Sequence, residues 1–251
     1  MRKAIGLAGA TLLFAGPALA ADLAKPVYKA PPLAPVFSWT GWYIGGNAGY
    51  GWGENTDPGI SSVGPQFLPG AFPNLKPKGF IGGGQIGYDW QVNPNWVVGL
   101  VADFQGADIK DDIKDHTTNL VQNAVAPRAL GTTSLSEKLD FLGTGRVRLG
   151  WAANNWLFYG SGGFAYGDVR SSASFAREGN LVAGSHNETR GGWAAGGGVN
   201  YAVTPNWIVG ADYLHYDLGH ASVTAVLGPA RITASQKVGG DIVRGVINYK
   251  F

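Results

Sequence analysis

The sequence predicts an all-β protein: an eight-stranded antiparallel transmembrane β-barrel with short periplasmic turns and four long extracellular loops. Three observations carry this. Eight segments after Trp39 alternate apolar and polar residues with the strand period of two, and no stretch holds a helical period for more than about two turns. The connections alternate strictly between long and short, which places both termini with the short turns, the layout of a barrel with an even strand count. Bulky rings collect on one alternate face, and several recur at intervals of ten residues.

Composition narrows the class before any segment is read. The 251 residues include 40 Gly, 14 Pro and no Cys, yet also 9 Trp, 10 Tyr and 11 Phe. So much Gly and Pro suggests disorder, but disordered chains are poor in aromatics, so the rings must be buried or embedded. Only 14% of residues are charged. Neither a nucleic-acid partner nor a helical membrane protein fits that balance.

Met1-Arg2-Lys3, the uncharged apolar run 4–16 and Ala18-Leu19-Ala20 form a secretory signal peptide over residues 1–20. The apolar run is too short for a membrane helix, and no later stretch approaches the ~20 residues one needs. Without Arg2 and Lys3 the basic residues equal the 17 acidic ones, so electrostatic attraction to nucleic acid has no basis. With no Cys, stability must come from backbone pairing and packing. Residues 21–37 hold four prolines without periodicity and read as a periplasmic tether; the barrel is assigned to 38–251.

The strand segments are 41–52, 79–91, 96–106, 139–151, 156–167, 191–202, 207–217 and 240–251. Three short connections look alike: Val92-Asn93-Pro94-Asn95, Ala152-Ala153-Asn154-Asn155 and Val203-Thr204-Pro205-Asn206, each followed by a Trp. Asn and Pro in such clusters make tight turns. The long connections are 53–78, 107–138, 168–190 and 218–239. In the second segment Phe80, Ile86, Tyr88 and Trp90 alternate with Gln85 and Asp89. In the third, Trp96, Val98, Leu100, Ala102 and Phe104 alternate with Asp103 and Gln105. The fourth sets Phe141, Val147, Leu149 and Trp151 against Thr144, Arg146 and Arg148; the eighth sets Val243, Ile247, Tyr249 and Phe251 against Arg244, Asn248 and Lys250. The fifth segment is ambiguous, and we assign Trp156, Phe158, Phe164 and Tyr166 to its apolar face.

Alternation alone leaves open which face is outside, because a soluble barrel places its rings inward. Volume decides. An eight-stranded lumen is only wide enough for modest side chains, so the ring-bearing face, with eight of the 9 Trp, must point outward into lipid. Trp42 to Trp52, Phe80 to Trp90, Phe141 to Trp151 and Trp156 to Tyr166 are each ten residues apart. At ~3.3 Å per residue and ~40° tilt, ten residues climb about 25 Å, the height of an apolar band between aromatic girdles. Glycines between the belts (Gly82, Gly84, Gly143, Gly145, Gly160, Gly162) are expected to relieve crowding and allow curvature.

The segments WTGWYIGGNAGYGWG (39–53), NWVVGLVADFQGADI (95–109), GTGRVRLGWA (143–152), LFYGSGGFAYG (157–167), PNWIVGADYLHYDLG (205–219) and VRGVINYKF (243–251) resemble the small proteobacterial outer-membrane β-barrel family of opacity-type surface antigens. The resemblance covers nearly all of 39–251. It implies a monomeric or weakly associating barrel in the cell outer membrane, among lipid and lipopolysaccharide, acting in envelope integrity and in surface interactions through its loops, with possible host or surface ligands. It also implies that Phe251, with Tyr249, Ile247 and Val243 alternating before it, is the signal read by the outer-membrane assembly machinery. Such proteins would carry an acid where this chain has Val101. Because the sequence stops at Phe251, no peptidoglycan-binding domain is expected to follow.

The expected lumen holds Asp89, Asp103 and Asp212 with Arg146, Arg148, Arg244 and Lys250. Charges in a narrow interior must pair or be hydrated. They form either a gated ion path, as in a narrow porin-like channel for small solutes or ions, or an electrostatic plug; the narrow lumen favours the plug. Other motifs carry less. Gly82-Gly83-Gly84-Gln85-Ile86-Gly87 spells G-x-G-x-x-G, but strand alternation continues where a phosphate-binding helix would have to begin. Gly160 to Ala165 fails the same way. The run Lys110 to His116 lacks a calcium-loop pattern and reads as solvated charge. His116, His186, His215 and His220 have no zinc spacing. Asn187-Glu188-Thr189 matches a glycosylation acceptor of little meaning in a bacterial envelope. No Ser, His and acid set is selected by spacing, so no catalytic, cofactor or metal residues and no enzymatic activity are expected. The proline-rich first loop (Pro58, Pro65, Pro69, Pro73, Pro77) suits an exposed contact surface.

Overall fold

The computed structural model describes residues 37–54, 59–63, 76–120, 129–177, 180–227 and 230–251. The expected signal peptide (1–20), the tether (21–37) apart from Phe37, and all of the first-loop prolines except Pro77 lie outside the described residues.

Among the described residues the chain forms β1 (Gly41–Gly53), β2 (Gly59–Val63), β3 (Lys78–Gln91), β4 (Trp96–Leu120), β5 (Ala129–Ala153), β6 (Trp156–Arg177), β7 (Asn180–Ala202), β8 (Trp207–Leu227) and β9 (Ala230–Lys250). β1 and β3 through β9 are the eight barrel strands, each antiparallel to the next. The cylinder closes where β1 meets β9, from Tyr43↔Lys250 to Gly53↔Gly240. The short β2 is additional and pairs with β9 at Arg231 to Ser235.

The pleat sorts the faces as volume required. Leu100 is 63% exposed on the outer wall while its neighbour Val101 is 7% exposed in the lumen. Trp42, Trp90, Trp96, Trp151, Trp156 and Trp207 stand outward near the turn end, and Trp52, Phe80, Phe104, Phe164 and Trp193 near the other. The fifth barrel strand follows the assignment made for it: Trp156, Phe158, Phe164 and Tyr166 face out, while Leu157 and Ala165 are buried inside. Rings on adjacent strands touch within each belt, as in Trp156–Tyr201 (4.6 Å between centroids) and Tyr50–Phe80 (5.3 Å). Trp39 is the exception among the tryptophans, 1% exposed.

Two expectations are corrected. The connections 107–138, 168–190 and 218–239 are not loops throughout; β4–β5, β6–β7 and β8–β9 continue as paired hairpins well beyond the outer belt. Beyond the apolar band neither face needs to be hydrophobic, so the alternation that marks a lipid-facing strand fades while backbone pairing persists. Register shifts fall close to this boundary, at Gly106/Ile109, Leu139/Phe141 and Asp217/His220. Gly219, within the last shift, has φ +78, a conformation that favours glycine.

The second correction concerns glycine. Gly82, Gly84, Gly145, Gly160 and Gly162 face outward, where an added Cβ would meet nothing closer than 3.3 Å. Of the six named above, Gly143 alone is covered, by the ring of Tyr166. Gly143 thus relieves crowding as expected, and elsewhere crowding is relieved by a different set on the inner face.

The three similar turns share one design. Asn95, Asn155 and Asn206 each donate a side-chain hydrogen bond to a carbonyl at the end of the neighbouring hairpin, Ala152 (3.1 Å), Ala202 (3.0 Å) and Lys250 (2.9 Å). Each also accepts from that same residue's backbone N–H. Within the turns, Asn93 Oδ1 accepts from Trp96 N–H (2.9 Å) and Thr204 Oγ1 from Trp207 N–H (3.0 Å). Asn154 takes the left-handed conformation (φ 54) that Asn tolerates in such a turn.

Candidate functional site

The lumen is the most organised polar region, and it is stratified. At the turn end Trp39, Val97, Ala152, Leu157, Ala202 and Ile208 form a buried apolar layer, with the Phe37 ring against Trp39 (4.8 Å, edge-on). At the other end Ile81, Ile109, Leu142, Leu214, Tyr216 and Ile242 belong to a second apolar layer. The charges lie between them.

In that middle layer Asp103 is the hub. Its Oδ2 accepts from Arg146 Nη2 (2.6 Å), Thr144 Oγ1 (2.9 Å) and Arg244 Nη2 (3.4 Å), and its Oδ1 from Gln105 Nε2 (2.6 Å). Arg244 also grips Asp212 with two bonds, Nε to Oδ1 (2.7 Å) and Nη2 to Oδ2 (3.1 Å). Arg148 pairs with Asp89 and lies between the rings of Tyr43 (5.2 Å) and Tyr159 (4.7 Å). Gln85 bridges Asn47 and Asn248 (3.2 and 2.7 Å). Three acids and three guanidiniums are thus matched among side chains at most 5% exposed. Desolvated charges are tolerated only with this degree of pairing.

Six of the seven lumen charges proposed from the sequence therefore meet. Lys250 does not join them; its ammonium lies 5.4 Å from the centre of the Phe37 ring at the turn end. Val101, where an acid was expected, is lumenal and opposite Arg146, and the acid is supplied two residues on by Asp103. Sequence reasoning missed the two apolar layers, because Ile81, Leu142, Leu214 and Ile242 occupy the parity assigned to polar residues. It also missed the inner glycines, although cross-strand register would reveal them: Gly45 faces Asn248, Gly49 faces Arg244, Gly87 faces Tyr43, Gly99 faces Asp89 and Gly210 faces Asn200.

The remaining motifs disperse. Gly82 to Gly87 and Gly160 to Ala165 lie within uninterrupted strands, with no helix after either. Asp111 accepts from the backbone N–H of Lys76 (2.7 Å) and Asp112 from the Ser136 hydroxyl (2.5 Å). His116 and His186 have side chains outside the described residues. His215 Nδ1 lies 2.9 Å from Asp241 Oδ1 at the outer rim, and the Tyr213 hydroxyl donates to the same oxygen (2.5 Å). There too, Lys237 bridges Glu54 (2.8 Å) and Asp217 (3.3 Å); hydrogen bonds to both carboxylates hold its amine above the ordinary lysine range.

A closed antiparallel cylinder with rings outside and paired charges inside defines a transmembrane β-barrel. Residues 7–251 match the outer membrane protein beta-barrel domain, and the chain belongs to that family. It is 35% identical over 254 residues to the 31 kDa outer-membrane immunogenic protein of Brucella melitensis biotype 1, covering 99% of this chain and 100% of the relative. It is 24% identical over 259 residues to the 25 kDa outer-membrane immunogenic protein of Brucella abortus biovar 1, with 100% and 99% covered. Among solved structures, the outer membrane protein OprG of Pseudomonas aeruginosa is similar with a TM-score of 0.43 at 14% identity, over 86% of this chain and 98% of that one. The protein is an outer-membrane β-barrel.

Proposed function

We propose that this protein is a sealed structural barrel that contributes to envelope integrity and presents its hairpins as a surface for interactions outside the cell. The observation that carries the reading is the stratified lumen, a neutralised charge layer held between two apolar layers. Ions cross apolar constrictions poorly because nothing there replaces their hydration. The competing reading, a narrow porin-like channel for small solutes or ions, draws on the charged layer alone. Refolded protein in planar bilayers tests both: we expect no unitary conductance above background, and reproducible unitary steps would overturn the sealed reading.

The same proposal places the short turns and Lys250 in the periplasm after removal of residues 1–20, with 21–37 as a tether. It gives Phe251, 72% exposed, to the assembly machinery as its recognition end. It includes no catalysis and no cofactor.

A further inference from the structure

Just beyond the outer aromatic belt the barrel carries a row of cations in register. Lys78 of β3 is directly opposite Lys110 of β4, Lys110 opposite Lys138 of β5, and Lys138 opposite Arg170 of β6. All four have the outward parity, and Lys110, Lys138 and Arg170 keep 55%, 41% and 60% of their side chains exposed. Like charges directly opposed on a sheet destabilise it.

Nearby acids offset it only in part. Asp108 pairs with Lys110 (3.2 Å) and Lys138 (3.8 Å), and Asp140 with Lys138 (3.0 Å) and Arg170. Asp168 faces Thr189 (3.4 Å) and Asp112 is held by Ser136. Lys78 has no ion pair among the described residues.

A second feature lies immediately below. An open groove of about 980 Å³ crosses the outer wall, floored by Ala48, Gly82, Gly106 and Gly245, with Phe80 at its edge and Asp108 and Asp140 at its upper end. An added Cβ would come no closer than 3.3 Å at Gly82, 3.9 Å at Gly106 and 4.0 Å at Gly245. At Gly106 and Gly245 the barrel's own packing therefore does not demand glycine, and at Gly82 a Cβ would need the Asn47 carbonyl to give by a few tenths of an ångström, while glycine weakens a strand.

We infer that the groove and the cation row together seat one lipid of the adjoining leaflet, its chain along Gly82 and Gly106 and its phosphorylated headgroup on Lys78 and Lys110, extended by Lys138 and Arg170. This site rests on the outer-membrane orientation proposed above. Phosphate oxygens meet cations at the height where headgroups begin, and the smooth floor lets a chain lie close to the sheet.

The test is native mass spectrometry of the full chain, refolded in detergent and exposed to lipid A or to phosphatidylcholine. Wild-type protein should retain lipid A preferentially. K78Q/K110Q should lower that retention about twenty-five-fold, since each cation near an anionic surface contributes about a factor of five. It should leave phosphatidylcholine unchanged, and K250Q at the opposite rim should change neither. Equal retention by wild type and K78Q/K110Q overturns the site. So does displacement of lipid A by inorganic phosphate, which would make it a free-anion site. Heat-modifiable migration verifies folding; should the double variant fail it, K78Q and K110Q are read singly. Bilayer conductance of the same preparation reports on the lumen independently, so a failed lipid site and a failed sealed-barrel reading remain distinct results.

Discussion

The two faces of this sheet use glycine for opposite reasons. Inside, each of several long polar side chains lies over a cross-strand glycine: a Cβ on Gly99 would overlap Asp89 Oδ1, one on Gly45 would overlap Asn248 Oδ1, and one on Gly87 the Tyr43 hydroxyl. Outside, a Cβ would come no closer than 3.7 Å to its neighbours at Gly46 and Gly84, and would meet nothing within 4 Å at Gly145. Inner glycines are thus fixed by the barrel's own contents. Outer ones, apart from those lying under a ring such as Gly143 beneath Tyr166, answer to whatever surrounds it. A composition rich in glycine, met as one number, is two populations under different constraints.

The largest effect that separates the faces should come from the charge hub. Asp103→Ala leaves Arg146 and Arg244 buried without their shared carboxylate, and removing one partner from a buried ion network costs about 3–5 kcal/mol. Its sequence neighbour Ala102 faces lipid, and Ala102→Leu should leave stability nearly unchanged. Urea unfolding from lipid vesicles, followed by tryptophan fluorescence, measures both. Equal losses at the two positions would break the distinction between the faces.

Depth on the outer wall sharpens it further. Val147, Leu149 and Trp151 all point outward on β5, the last within the belt near the turns. Val147→Arg and Leu149→Arg should each cost ~2–4 kcal/mol as midplane positions, and Trp151→Arg clearly less, because the cost of Arg falls toward the interface. Unfolding free energies from the same vesicles give the ranking, and a flat profile across the three would remove the depth assignment.

Much of this architecture was legible because lipid imposes a strict rule on the sequence. Phe80, Ile86, Tyr88 and Trp90 against Gln85 and Asp89 could be read one strand at a time, and six of seven lumen charges followed from parity. What was not legible depends on partners distant in sequence. The hairpins beyond 106, 167 and 217 are held by backbone pairing that no apolar stripe announces. Leu142 and Ile242 stand among polar lumen residues only because the ends of the lumen are closed by hydrophobic packing, a three-dimensional demand. The cation row became visible once register set Lys78, Lys110, Lys138 and Arg170 side by side, although they are scattered along the sequence.

The smallest predicted effect is the most direct comparison of the two faces, because it makes the same substitution on each. Gly99 is enclosed between Asp89 and Arg148 on its flanking strands, while Gly145 is open to the outside. Gly99→Ala forces a methyl into a filled, charged layer, and overpacking of this kind costs about 1–3 kcal/mol. Gly145→Ala meets no obstacle and relieves the entropic weakness of glycine in a strand, so it should be neutral or stabilising by roughly 0.5–1 kcal/mol. The sign of the difference matters more than its size. If Gly145→Ala proves as damaging as Gly99→Ala in vesicle unfolding, curvature of the sheet itself requires glycine on the wall. If it is neutral in unfolding, sheet geometry does not hold glycine on the outer face, and the reason belongs to the barrel's surroundings.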